Sequence, residues 1–223
     1  MADKKIDIPP VNREVLELYL VQDSPLIVHR FSDKGKKQIA EKQQKGVKGR
    51  KEDRDPEAEF QAARHLRPDG TDGFPAAGLR LGAVEAVTWC QGITKKLVNG
   101  SLFVTDVDGS NLMRIYSEPP VCVTDTVRIG KFGSKTADLR YRPYYEDWFM
   151  KVKVLFDPSA LSQEQVVNLI NRAGMSIGLG DWRPQKGGVN GMYHVANESE
   201  AKELEARIKE LSKDKPKRKR KAS

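Results

Sequence analysis

The sequence predicts an α+β domain, and three stretches predict it. An apolar run extends from Val15 to Val28 with one break at Asp23-Ser24-Pro25. Strict alternation from Trp148 to Phe156 sets Met150, Val152, Val154 and Phe156 against Phe149, Lys151, Lys153 and Leu155. A capped amphipathic helix then follows Asp157-Pro158. Period two marks a strand with one buried face, and a period near 3.6 marks a helix.

The first run is nearly continuous in apolar residues, which predicts a strand central to its sheet. Leu79, Leu81, Ala83, Val84, Ala86, Val87 and Cys90 supply the apolar face of a helix from Ala77 to Gln91, ended by Gly92. β-like runs follow at Leu102 to Asp106, Leu112 to Tyr116 and Val121 to Ile129. Asp108-Gly109 between the first two is a hairpin signal. In the later helix Ser162 caps and Gln165 stands three residues on, a capping box. Val166, Val167, Leu169, Ile170 and Ala173 form its face, and Gly174 stands where a left-handed C-cap is expected. A last strand spans Gly191 to Val195.

Stripped of additions, the order is β-α-β-β-α-β. That is the ferredoxin-like pattern, shared with RNA-recognition (RRM-like) folds. The additions are an extra β-hairpin and a long basic insertion after the first strand, residues 31–66. Residues 1–12 read as a flexible lead-in and 13–197 as a single domain. Residues 198–212 read as a charged helix and 213–223 as a disordered basic tail.

Charge is sorted along the chain. The 223 residues carry a formal net charge of +8. From Lys213 to Lys221, seven cations face one acid. From Arg30 to Arg54, ten cations face four acids: Arg30, Lys34, Lys36, Lys37, Lys42, Lys45, Lys48, Arg50, Lys51 and Arg54 are the cations. From Arg128 to Lys153, seven face three, with Arg128, Lys131, Lys135, Arg140 and Arg142 grouped near Tyr141, Tyr144 and Tyr145. Positive patches point to an anionic partner. Each run also has a plain alternative, a solvated face that only keeps the protein soluble.

The segment from Gly178 to Gly191 joins the second helix to the last strand and holds five glycines, Trp182, Arg183 and Lys186. Glycines let backbone approach a ligand, N–H groups at Gly187 and Gly188 can meet phosphate, and Trp182 can stack on a base. The alternative is a long turn whose glycines solve a geometric problem. A second helix, a glycine-rich basic loop and a short strand resemble the signature of the RAMP superfamily, the RNA-binding subunits of CRISPR effector complexes. Gly178, Gly180, Arg183, Lys186, Gly187, Gly188 and Gly191 carry the likeness, with the opening stretch Leu20 to Ile27. The chain is also similar in style to uncharacterised bacteriophage proteins. The resemblance implies non-catalytic binding of single-stranded DNA or RNA by a homo-oligomer along the strand.

Catalytic signals are weak. His29, His65 and His194 have no metal-spaced partner, and Cys90 and Cys122 form no CxxC pair and read as buried thiols. Asp106 and Asp108 could hold Mg²⁺ in a metal-dependent nuclease, or simply sit in a solvated hairpin turn. The expectation is no enzyme, no cofactor and no resident metal. A structural or phage-assembly role with a nucleic-acid-contacting tail is the other alternative. No apolar run approaches a membrane span and Met1 to Asp7 is charged, so the expectation is no membrane partner and a cytoplasmic location, in a bacterial host if phage-encoded.

Overall fold

A computed structural model describes residues 10–31, 54–129 and 136–213. Its content is mixed helix and antiparallel sheet, as an α+β class requires. Strand β1 (Glu14–Gln22) is central, as the apolar run predicts. It lies between β9 (Trp148–Phe156) and β10 (Tyr193–Val195), both antiparallel to it. Strand β4 (Leu102–Asp106) pairs with the far side of β9, giving the order β10-β1-β9-β4. Short β6 (Tyr116–Ser117) also pairs with β9, at Phe149 and Trp148.

Two further sheets hang on this one. Strand β2 (Leu26–Ile27) pairs with β8 (Thr136–Tyr145), which pairs with β7 (Val121–Ile129) over nine registered positions. Strand β3 (Gly73–Pro75) pairs with β5 (Leu112–Arg114). This corrects one expectation. The Asp108-Gly109 turn forms, with Gly109 left-handed and its N–H donated to the Asp106 carbonyl. The segments on either side of it nevertheless go to different partners, and β7 with β8 is the additional hairpin. Turn chemistry is local, whereas partner choice is decided by which apolar face each strand buries.

Helix α1 (Pro56–Ala63) closes the far end of the insertion, capped by Asp55 with Pro56 in the first turn. Helix α2 (Ala76–Ala86) runs on through a 3₁₀ turn, Val87–Trp89. Helix α3 (Lys95–Ser101), capped by Thr94, is absent from the sequence prediction. Its seven residues bury only Val98 and Ser101, so it has no stripe for periodicity to find.

Helix α4 (Gln163–Ser176) shows the predicted capping box in full. Ser162 Oγ accepts the Gln165 N–H at 3.2 Å, and Gln165 Oε1 accepts the Ser162 N–H at 2.8 Å. Its predicted stop at Gly174 is wrong. Gly174 lies inside the helix, and a Cβ there would meet the Tyr193 carbonyl oxygen at 1.8 Å. The glycine is a contact point between helix and sheet, and Gly178, at φ +71°, takes the left-handed position instead.

The main core lies between one sheet face and helices α2 and α4. Leu20, Met150, Val152, Val154 and Trp148 pack there against Leu79, Ala83, Val166 and Ile170. The opposite face buries Tyr19, Tyr116 and Phe149 beneath Leu204 of helix α5 (Glu198–Lys213). His194 on β10 fastens the start of α5. Its Nδ1 lies 2.7 Å from Asp23 Oδ1 and its Nε2 lies 3.3 Å from Glu200 Oε1. Partial burial lowers the His194 pKa, but the two carboxylates outweigh it and the net shift is upward.

Three substitutions test this packing. Gly174→Ala, despite Ala's better helix propensity, lowers stability by about 2 kcal/mol through the clash with Tyr193. Gly100→Ala in α3, where an added Cβ meets nothing within 4 Å, raises it by up to about 1 kcal/mol. Urea midpoints check both. The raised His194 pKa means its stabilisation is fully present below about pH 6.5 and fades as pH rises through the higher folded value. The gap in urea midpoint between wild type and His194→Gln should therefore be wider at pH 6 than at pH 8.5.

Candidate nucleic-acid interface

The glycine-rich loop is held on three sides. Asp181 N–H donates to the Ile27 carbonyl at 2.8 Å, tying it to β2. Gly191 N–H donates to the Pro25 carbonyl at 2.7 Å, and Leu179 N–H to the Gly191 carbonyl at 2.8 Å. Within the loop, Gly187 N–H donates to the Pro184 carbonyl and Gly188 N–H to the Arg183 carbonyl. These two glycines therefore turn the chain back on itself, their N–H groups engaged by protein carbonyls. A Cβ on Gly188 would meet the Trp182 carbonyl oxygen at 1.7 Å.

Trp182 sits at φ +56°, the only non-glycine residue with positive φ among the described residues. That conformation costs an L-residue roughly 1–2 kcal/mol. The fold holds it by Asn190 N–H donating to the Trp182 carbonyl at 3.0 Å. The indole is 45% exposed, so the strain presents a ring to solvent instead of burying it.

Beside this loop lie two adjoining hollows of ≈ 220 and ≈ 350 Å³. They share Phe74, Gly78, Gly180 and Arg183, and the smaller also meets Val28, His29, His65 and Asp181. The Arg183 guanidinium braces the mouth through the Gly180 carbonyl at 2.9 Å and Gln185 Oε1 at 3.0 Å. His29 Nε2 accepts from Arg140 at 2.9 Å, which places the ring proton on Nδ1. That Nδ1 is buried with no hydrogen-bond partner. Burial first, and then Arg140, hold the His29 pKa below its ordinary value, so the ring is neutral at pH 7.

Other predicted residues take structural posts. Arg142 is 5% exposed, with Nη1 2.9 Å from Asp125 Oδ2 on β7 and Nε 3.4 Å from Asp181 Oδ2 in the glycine-rich loop. It joins hairpin to loop and offers no open face. Arg54 grips Glu59 at 2.6 Å, Asp138 at 2.7 Å and the Leu139 carbonyl, and lies over the Tyr141 ring. It anchors the end of the insertion to β8. Arg30 donates its N–H to the Ala63 carbonyl, so α1 returns the insertion to its starting point. Lys186 is exposed at the loop tip. Lys34, Lys36, Lys37, Lys42, Lys45, Lys48, Arg50, Lys51, Lys131 and Lys135, the Arg128 side chain, and the tail from 214 on lie outside the described residues.

No family model and no curated protein matches the chain. Solved structures do. The chain is similar to one in a cryo-EM structure of the type III-B Cmr-beta bound to cognate target RNA, with 9% identity and a TM-score of 0.49. The match covers 83% of this chain and 59% of that one, so this chain spans under two thirds of that neighbour's length. It is also similar to Cmr6 from Pyrococcus furiosus, with 10% identity and a TM-score of 0.43, over 83% of this chain and 98% of that one.

Sequence reasoning missed His29 and His65 as members of the cleft, because nothing local links them to a loop more than 100 residues later. It also misjudged Asp106 and the thiols, while Asp108 sits in an exposed turn as expected. Asp106 is buried rather than solvated, 3.2 Å from Arg67, and accepts the Arg114 N–H at 3.0 Å. Asp108 pairs with the same Arg67 at 2.6 Å, and hydrogen bonds from Ser110 hold its carboxyl down at about 2. Cys122 is exposed on β7, and Cys90 is half-buried. Among the described residues, no three His, Cys, Asp or Glu side chains gather as a metal site, and no helix is long and apolar enough to cross a membrane.

Arg142 generates a test of the loop's support. Arg142→Met leaves Asp125 and Asp181 facing each other without a cation. Since both acids are partly solvated, the loss should be about 2 kcal/mol, below the 3–5 kcal/mol of a fully buried pair. Arg142→Lys should recover less than half of it, because one ammonium cannot reach both acids. Urea unfolding of the three proteins reads the result.

Proposed function

We propose that this chain is a RAMP-like, ferredoxin-like domain that binds single-stranded nucleic acid without cleaving it, as successive copies along a strand. The carrying observation is the cleft at the glycine-rich loop. Arg183 and His29 line it, Arg140 holds His29, and the strained, exposed Trp182 stands next to Arg183 in the chain, close to where the basic insertion leaves the fold after Arg30. Exposed Phe31 adds a second ring at the insertion's root. Arginines for phosphates and rings for bases are the usual division in single-strand binding.

The topology supports the fold reading. Taking β1, β4, β9 and β10 as first to fourth, the sheet order is fourth, first, third, second, with α2 and α4 as the crossover helices. The glycine-rich loop lies between the second crossover helix and the last strand, where the resemblance requires it. A binding role without chemistry suits His29, whose Nε2 lone pair is taken by Arg140. It suits Asp106 and Asp108 as well, whose carboxylates are engaged by Arg67.

The measurement is anisotropy of a labelled 20-nucleotide oligouridylate and oligothymidylate against salt. Four phosphate contacts would weaken binding roughly 50-fold between 50 and 200 mM salt. Trp182→Gly should leave the fold as stable or slightly more so, since glycine accepts the positive φ, yet lower affinity roughly tenfold through loss of a stacking ring. Deleting residues 213–223 should weaken binding but not abolish it. Complete loss would assign the binding to the tail and favour a structural or assembly role. Salt-independent affinity, or product formed with Mg²⁺ and lost in Asp106→Asn, would overturn the proposal.

A further inference from the structure

The sheet face turned away from the main core carries a second set of rings and cations. Tyr19 and Val21 of β1 lie in register with Lys151 and Phe149 of β9, and Tyr116 of β6 pairs with Phe149. The Tyr116 and Phe149 rings stack with centroids 4.9 Å apart and planes 11° from parallel. Lys151 Nζ lies 5.1 Å from the centre of the Tyr19 ring, and the Arg114 guanidinium 4.5 Å from that of Tyr116. Two strand positions beyond Glu17 and Lys153, the same face opens to solvent. Val15, Leu155 and Phe103 form one cross-strand row there, with Val15 52% and Phe103 46% exposed.

Helix α5 covers only the aromatic half of this face, and its apolar hold is small. Leu204 is buried, while Ala201, Ile208 and Leu211 are partly buried against the rings. Its acidic group occupies an informative place. Glu205 Oε1 accepts from the Tyr19 hydroxyl at 3.0 Å and lies 3.8 Å from Lys151 Nζ. A carboxylate held between a phenol and an ammonium beside this aromatic cluster sits where a nucleic-acid phosphate would find the same two donors.

We propose that this face is a second single-stranded nucleic-acid site, separate from the cleft, and that α5 is its displaceable cover. Tyr19, Phe149 and Tyr116 are the stacking platform, and Lys151 with the Tyr19 hydroxyl meets phosphate in place of Glu205. Phe103 and Val15 give the strand an open place to lie before α5 yields.

Leu204→Ser with Ile208→Ser in the full chain tests this, because it loosens α5 without changing charge. Release is read by trypsin cleavage at Lys202, Arg207 and Lys209. Binding is read by anisotropy of labelled 12-nucleotide oligouridylate and oligothymidylate. Affinity should rise about tenfold over wild type for both probes, since rings read bases more than sugar. Adding Phe149→Leu, or Tyr19→Leu should the first variant fail to fold, should remove the gain. Released helix with no gain in affinity, or a gain that survives loss of the rings, overturns the proposal. Binding by the wild type that Arg183→Ala abolishes reports on the cleft alone, so failure of one site is distinguishable from failure of the other.

Discussion

The glycine-rich loop depends on one buried guanidinium. Arg142 enters from β8 and meets Asp125 from β7 and Asp181 from the loop. A charge this deep is tolerated only when paired, and here the partners come from elements nearly sixty residues apart. The pairing therefore fixes geometry as well as charge. With Asp181 drawn toward Arg142 and its N–H on Ile27, the neighbouring Trp182 has little choice of backbone conformation. The positive φ, the exposed indole and the braced Arg183 follow from that anchorage.

The same logic governs the rest of the charge. The run from Arg128 to Lys153 is positive in sequence, but the folded chain engages much of it internally. Arg140 holds His29 and lies near Asp138, Lys151 meets Glu17 and Glu205, and Lys153 donates to the Val107 carbonyl. Arg54 and Arg67 each bind two or more carboxylates. Formal charge along a sequence thus overstates what a folded domain offers a polyanion. Among the described residues, Lys186 at the tip of the glycine-rich loop keeps its ammonium exposed.

Elements whose signal is local were legible in the sequence. The central strand, the alternation of β9 and the capping box of α4 each depend on residues within one turn or one strand. Gly174 was misread because a mid-helix glycine and a C-cap glycine look alike until β10 is placed against the helix. Asp106 was misread because its partner Arg67 lies across the fold, and an Asp-Gly turn gives no hint of burial. Of the candidate site, Trp182, Arg183 and the loop were visible as a cluster of residue types. His29 and His65 became members only through tertiary contact, and Arg142 changed from a contact residue to a support for the same reason.

The two sheet faces carry the remaining asymmetry. One is buried by twenty-odd apolar side chains against α2 and α4. The other is closed over half its width by a helix whose single fully buried apolar residue is Leu204, helped by partly buried Ala201, Ile208 and Leu211 and by charged contacts of Glu205 and Arg207. Burial of one leucine and parts of three smaller or partly exposed side chains is worth only a few kcal/mol. Beyond that burial the helix rests on its own hydrogen bonds and on the Asn197–Glu200 cap. That contrast sets α5 apart from α4: α4 is a wall of the domain, and α5, on the proposal made above, is a cover that a competing anion with stacking bases displaces.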